Sequence, residues 1–236
     1  MRNLKRQLLA GPYLLWMAGF VLLPVGVILY YAITTTSGQF TMFNITSITA
    51  SVHLKALLLS LKLALACTII CLALSYPLAM ILNKIKGKKS SLVVFIFILP
   101  MWMNFMLRIL AWKMLLSNNG VINTVLGYFG LPGLDVLNTP SAVVFCMVYD
   151  FLPFMILPIY NAMTRIEKDI IEAAKDLGAG SVTIFFKIIL PLTMSGVISG
   201  IIMVFVPALT SFAISDLLGG GKVLLIGNVI EQAFMQ

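Results

Sequence analysis

Long apolar segments constrain the fold of this 236-residue chain more than any other feature. A helix of about 20 apolar residues crosses the hydrocarbon of a bilayer, which is about 30 Å thick. Only 10% of the residues are charged, against about 25% in an average soluble protein. The sequence therefore predicts an all-α integral membrane protein, organised as a single transmembrane domain over residues 1–236. The predicted transmembrane helices cover residues 10–33, 56–82, 91–116, 141–163 and 188–215.

Basic residues concentrate in alternate loops. Residues 83–90 read NKIKGKKS, and residues 164–187 hold several lysines and an arginine, whereas residues 34–55 and 117–140 hold few charges. Because cytoplasmic loops carry an excess of Lys and Arg, the N-terminus and these two basic loops are predicted to be cytoplasmic. This distribution accounts for the net charge of +8 without a nucleic-acid partner. Five spans leave the C-terminus outside; a sixth span that returns the chain to the cytoplasm is expected to be missing at the C-terminus, and the sequence alone leaves open whether one follows Gln236.

The loop at 164–187 carries six charged residues between Glu167 and Asp176, which excludes it from the lipid core. Apolar residues recur at spacings of three and four from Arg165 to Leu177, and this pattern predicts a helix. Gly178 is expected to end that helix, since glycine accepts the left-handed conformation. A second short helix is predicted over SVTIFFKII (181–189).

The charges of this helix decide between two interpretations of it. Amphipathic helices that lie on lipid favour Lys and Arg on the polar face. This helix also carries four acids, which anionic head groups repel. Opposite charges stand four residues apart in the pairs Arg165–Asp169 and Lys168–Glu172, a spacing that stabilises a helix slightly. The mixture favours a protein partner over a lipid surface.

The same loop contains a spaced motif: EAA, three residues, a glycine, nine residues and then I-x-L-P. This spacing resembles the signature of binding-protein-dependent ABC transporter permeases, and the likeness extends over roughly residues 55–215. The resemblance implies a cytoplasmic coupling helix between the fourth and fifth spans, which docks on an ATP-hydrolysing subunit and transmits nucleotide-driven closure. The residues that match are Glu172, Ala173, Ala174, Gly178, Ile188, Leu190 and Pro191.

The resemblance also implies partners and a location. They are a pair of ATP-binding subunits, a second related permease, an extracytoplasmic solute-binding protein and the lipid bilayer of the cell (inner) membrane. The family has six spans, so the five predicted here depart from its pattern.

Two further segments narrow the resemblance. LPMWMNFMLRILAWKMLLSNNGVIN (99–123) and FLPFMILPIYNAM (151–163) are similar to the first permease subunit of spermidine/putrescine importers. The resemblance implies that the chain forms half of a translocation path for these polyamines. A path for another small solute, such as sulfate or molybdate, is the alternative.

Asp150 is an ionisable residue inside a predicted span, and such residues are functional candidates. It lies between Tyr149 and Phe151, and an acid flanked by aromatic rings suits a polyammonium solute. The alternative is a helix-packing acid paired with Arg108 or Lys113. The basic residues of the spans could equally serve an anion.

Gly196 and Gly200 stand four residues apart in the fifth predicted span. Small residues at this spacing let another helix approach closely. The sequence leaves open whether that helix belongs to this chain or to another subunit.

No catalytic or metal-binding pattern is present in the sequence. Cys67, Cys71 and Cys146 lie in apolar segments, and the only histidine is His53. GGGK at 219–222 lacks the spacing and the Ser or Thr of a phosphate-binding loop. We therefore expect a transport subunit rather than an enzyme, with no cofactor or metal, driven by ATP hydrolysis in a separate subunit.

Overall fold

The computed structural model describes residues 11–35, 38–49, 51–85, 92 and 95–235. Over these residues the chain is almost wholly helical, and its only β pairing is an isolated bridge between Thr34 and Phe40. The basic N-terminus and most of the basic 83–90 loop lie outside the described residues, as do residues 10, 91, 93 and 94 of the predicted spans.

The helices are named here in chain order. They are α1 Gly11–Ala32, α2 Phe43–Ser47, α3 Ser51–Lys84, α4 Phe95–Trp102, α5 Phe105–Leu116, α6 Val121–Tyr128, α7 Pro140–Met163, α8 Lys168–Asp176, α9 Ser181–Leu192, α10 Met194–Thr210, α11 Ala213–Gly219 and α12 Ile226–Met235.

The described residues divide into two units at Lys55. In the first unit, no residue of α1 is buried, as suits an apolar helix that faces lipid. The segment after α1 is held by Asn44, whose side-chain amide donates to the carbonyl oxygens of Tyr31 at 3.0 Å and Thr34 at 3.1 Å.

The second unit, residues 56–236, is built around α7. The most extensive helix contact in the structure joins α7 to α10, and α11 packs on both α7 and α5. On α10 a buried face of small residues repeats every four positions, at Gly196, Gly200, Val204 and Ala208. This repeat follows the helical period closely, so the face stays turned toward α7 along the helix.

Three described helices are long and apolar enough to cross a membrane, namely α1, α3 and α7. The count rises to five if each of two bent helix pairs is one span. The predicted fourth span, 141–163, lies within α7, and the predicted second span, 56–82, lies within the longer α3.

The predicted third span, 91–116, is not one continuous helix. A bend of 98° separates α4 from the segment that begins with α5. Asn104 causes the break, because its side chain accepts hydrogen bonds from the backbone N–H of Met106 at 2.9 Å and Leu107 at 3.2 Å and so starts a new helix. Pro100 lies in the 3₁₀ turn that ends α4.

The predicted fifth span, 188–215, also differs from the structure. A bend of 68° separates α9 from α10, and α10 ends at Thr210 because the backbone of Ser211 is extended. The chain then forms α11, turns through two left-handed glycines at Gly220 (φ 53°) and Gly221 (φ 76°), and continues into α12. Glycine favours such turns, since other residues adopt positive φ with strain.

Candidate functional site

The motif-bearing loop forms a short helix, α8, preceded by the extended residue Glu167, whose side chain does not cap it. Gly178 has φ 80°, and its N–H donates to the Lys175 carbonyl at 2.8 Å, while the Ala179 N–H donates to the Ala174 carbonyl at 3.0 Å. These two bonds form a Schellman motif, which ends a helix at a left-handed glycine. The sequence-based expectation for Gly178 is thus confirmed, and the orientation of α8 is held at its C-terminal end.

The outer face of α8 is open. Glu172 and Ala173 are exposed, Ile170 is 43% exposed and Leu177 is 89% exposed. Exposed apolar side chains next to charged ones are typical of an interaction surface and not of the protein's own core. We call this surface the α8 face.

The ion pairs expected on α8 are not formed by the described side chains. Arg165 lies before α8 begins at Lys168, so it is not spaced along the helix surface from Asp169 as the sequence pattern suggested. Lys168 and Glu172 are both exposed and make no salt bridge. Exposed pairs contribute little, so their absence costs the helix little. The charges of α8 are instead free to meet a partner.

The second half of the motif lies in α9, after α8. Ile188 belongs to a π-helical turn, Phe185–Ile189, and Leu190 and Pro191 belong to the short turn that follows it. Thr193 then occupies the bend between α9 and α10 and is completely buried.

Thr193 and its partner Tyr76 are functional candidates that the sequence analysis missed. The hydroxyl of Tyr76, on α3, forms a hydrogen bond with the hydroxyl of Thr193. The two residues are 117 positions apart, so no local pattern could have paired them. The proximity of Thr193 to the LP dipeptide was the only available signal.

Asp150 is buried within the chain, at 1% exposure, and forms an ion pair with the Nε of Arg108 on α5. The guanidinium also donates from Nη1 to the Pro100 carbonyl at 2.6 Å, across the break between α4 and α5. The Cys146 thiol lies 3.8 Å from the other carboxylate oxygen. Of the two interpretations of Asp150, the pairing with Arg108 is the one seen in this structure.

The neighbours of Asp150 also pack within the chain. Phe151 is buried, and Tyr149 meets Trp112 edge to face with ring centroids 5.1 Å apart. Lys113, the other candidate partner of Asp150, is exposed. The arrangement joins α5 to α7 by a charge pair and an aromatic contact.

Gly196 and Gly200 are both buried against α7. A Cβ built on Gly196 would lie 2.5 Å from the Pro158 carbonyl oxygen, and one on Gly200 would lie 2.7 Å from the Met155 sulfur. The helix that approaches these glycines therefore belongs to the same chain, a point that the sequence left open.

The cysteines are free and buried, and serve packing. The sulfurs of Cys67 and Cys71 are 4.0 Å apart on α3, and the Cys71 thiol lies 3.8 Å from the Val148 carbonyl on α7. In the described ranges no group of three or more His, Cys, Asp or Glu side chains could hold a metal ion.

Comparisons with known proteins agree with this architecture. The family described as binding-protein-dependent transport system inner membrane component matches residues 73–236. The chain is 40% identical over 229 residues to the spermidine/putrescine transport system permease protein PotB of Haemophilus influenzae, which covers 93% of this chain and 80% of that protein. It is 40% identical over 228 residues to the protein of the same name from Escherichia coli (strain K12), covering 93% and 83%.

A solved structure shows the same fold. The crystal structure of a bacterial alginate ABC transporter in complex with an alginate pentasaccharide-bound periplasmic protein contains a chain that superposes with a TM-score of 0.78. The match covers 100% of this chain and 84% of that chain, at 18% identity. The family match spans most of the chain, so this protein belongs to the family of binding-protein-dependent transport system inner membrane components.

Proposed function

We propose that this chain is the permease subunit of an ATP-driven importer and forms half of a translocation path for spermidine and putrescine. One observation carries the choice of solute: 40% identity over 93% of the chain to the spermidine/putrescine permease protein PotB. A permease of the same kind for another small solute is the alternative.

The second part of the proposal concerns coupling. The α8 face, with Glu172 and Ala173 at its centre and Leu177 at its end, docks on a separate ATP-binding subunit. Three features support this: the face is exposed, it combines apolar and charged side chains, and its helix is held by the cap at Gly178. The cap satisfies carbonyl groups at the C-terminal end of α8 and so holds that end of the helix in place.

The proposed orientation places the N-terminus and α8 in the cytoplasm, in keeping with the positive-inside rule. A second permease completes the path, and a solute-binding protein delivers the polyamine from outside. Because the Gly196 and Gly200 face is occupied by α7, the second permease contacts a different surface of this chain.

Uptake of labelled spermidine and putrescine tests the choice of solute. Cells that lack this gene are compared with the same cells in which it is restored, with labelled sulfate as a second solute. Uptake of polyamine that returns only with the intact gene supports the proposal. If restoring the gene leaves polyamine uptake unchanged while the protein still purifies with an ATPase, the assignment as a permease stands and the assignment of polyamine as its solute is refuted.

Reversal of one charge tests the coupling. Glu172→Lys is expected to reduce co-purification of the ATP-binding subunit, or to lower polyamine uptake about tenfold at unchanged assembly, since mismatched charges disfavour an interface and about 1.4 kcal/mol is a factor of ten. Asp135→Lys is the matched control, because Asp135 is equally exposed but lies in the loop predicted to face outside. A Glu172→Lys protein that assembles and transports as the wild type does would contradict the docking of α8.

A further inference from the structure

The movement of α8 must reach the transmembrane helices through specific contacts, and the structure shows few of them. Among the helices, α8 packs most extensively on the first turn of α9, Ser181–Ile184. A cavity of about 260 Å³, lined in part by Met80, Asn83, Lys175 and Ile189, separates the loop from the end of α3. Direct packing between α8 and α3 is therefore limited.

The connection to α3 lies further along, at the bend between α9 and α10. Thr193 is completely buried there, and its hydroxyl lies 2.8 Å from the Ile189 carbonyl and 3.2 Å from the Leu190 carbonyl. A threonine hydroxyl has one proton, and the two carbonyls can only accept. Two acceptors for the proton of Thr193 therefore lie in the turn just before it.

These two acceptors favour one direction for the bond from α3. When the Thr193 hydroxyl donates to a carbonyl, its oxygen still accepts, and the Tyr76 hydroxyl is then the donor of the bond between them. The Tyr76 ring also meets Phe185 of α9 edge to face, with centroids 5.2 Å apart at 77°. Tyr76 is only 8% exposed, so a water molecule cannot readily replace Thr193 as the hydrogen-bond partner of its hydroxyl.

Tyr76 precedes Pro77, which lies inside α3 and interrupts its hydrogen-bond ladder. A pull at this point acts on α3 beside a proline, which removes one backbone hydrogen bond from the helix. The contact therefore joins the bend at Thr193 to the proline site of α3.

We infer that the Tyr76–Thr193 hydrogen bond is the link by which movement of α8 and α9 is passed to α3. Tyr76 and Thr193 are positioning residues in this inference and contact neither solute nor nucleotide. The inference rests on the proposed function, in that it assigns the part of the permease that couples ATP hydrolysis to the path.

Three single variants separate the link from simple packing. Tyr76→Phe removes the donor and keeps the ring contact with Phe185. Thr193→Val removes the acceptor at nearly constant volume. Thr68→Val is the matched control, because Thr68 is also buried on α3 but its hydroxyl bonds only the Ala64 carbonyl of its own helix, at 2.7 Å.

The decisive measurement is polyamine taken up per ATP hydrolysed in vesicles that hold the complete complex. We expect Tyr76→Phe and Thr193→Val each to lower this ratio by about fivefold, the change in an equilibrium that one hydrogen bond supports. Thr193→Val also removes the hydroxyl's bonds to the Ile189 and Leu190 carbonyls, so it should be the more severe of the two single variants. The double variant should be no worse than Thr193→Val alone, since that change already removes the Tyr76–Thr193 bond. Assembly should be unchanged. An unchanged ratio in Tyr76→Phe, or an equal loss in Thr68→Val, would overturn the inference.

Amide hydrogen exchange can test the Tyr76–Thr193 link even if the proposed transport function is refuted. A wild-type protein that neither purifies with an ATPase nor transports a polyamine refutes the proposed function. In the purified chain, Tyr76→Phe should still raise amide exchange at residues 189–194 and at residues 72–80 together, with no such rise in Thr68→Val. Exchange that stays at the wild-type level in both segments would show that the bond does not join them.

Discussion

Replacing Gly196 by alanine tests the close approach of α10 to α7, on which the second unit depends. The added Cβ would lie 2.5 Å from the Pro158 carbonyl oxygen and 2.7 Å from the Ala162 Cβ. Carbon atoms in ordinary contact stand about 3.5–4.0 Å apart, so α10 must move away by about 1 Å. A backbone oxygen cannot rotate aside as a flexible side chain does.

The magnitude follows from two opposing terms. Overpacking of this kind costs about 1–3 kcal/mol, and contact with backbone favours the upper end of that range. Alanine is a better helix former than glycine by about 1 kcal/mol, which offsets part of the cost. We expect a net destabilisation of about 2 kcal/mol, equivalent to a fall in Tm of about 4–8 °C for a chain of this size.

The chain contains its own reporter for the assay. Cys67, Cys71 and Cys146 are free and buried, so a thiol-reactive fluorophore labels them as the protein unfolds on heating. Gly127→Ala is the matched control, because Gly127 is helical, in α6, and its added Cβ meets nothing within 4 Å. This control should melt at the wild-type temperature or slightly above it. A Gly196→Ala protein that melts with the control would refute the close packing of α10 on α7.

Two further substitutions probe buried polar contacts by the same assay. Asp150→Asn leaves the Arg108 guanidinium buried without its counter-ion, a change that costs about 3–5 kcal/mol. The double variant with Arg108→Gln should recover much of the lost Tm. A stable Asp150→Asn protein with weakened spermidine uptake would instead assign Asp150 to the solute path. Ser60→Ala removes the acceptor of the Ile226 N–H, 2.8 Å away at the start of α12, and should cost about 1–3 kcal/mol. Ser75→Ala removes a buried hydroxyl of α3 that has no hydrogen-bond partner, so it should leave Tm unchanged or raise it. Equal melting of the two serine variants would contradict the role of Ser60.

Local features of the chain could be predicted from the sequence. Apolar length located α3 and α7, because apolar side chains favour the bilayer and a helix satisfies the backbone polar groups of one segment at a time. The helix at Lys168–Asp176 and its left-handed end at Gly178 could be predicted because helical period and glycine's freedom at positive φ are local properties. The spacing from Glu172 to Pro191 pointed to the family for the same reason.

The bends were harder to predict because the hydrophobic pattern runs through them. Residues 91–116 and 188–215 are predominantly apolar on both sides of each bend, so hydropathy alone indicates one span in each. Asn104 and Thr193 mark the breaks by side-chain hydrogen bonds to nearby backbone, which a count of apolar residues does not register.

Tertiary structure alone decided which groups meet. Asp150 could have paired with Arg108, with Lys113 or with a solute, and only the packing of α5 on its neighbours brings Arg108 to it. The glycines of α10 could have received any helix, and the fold supplies Pro158 of α7. The Tyr76–Thr193 bond joins residues 117 positions apart. Such contacts depend on how helices that are distant in sequence cross one another. A single sequence shows which residues lie on each helix face, but it does not show which other helix packs against that face.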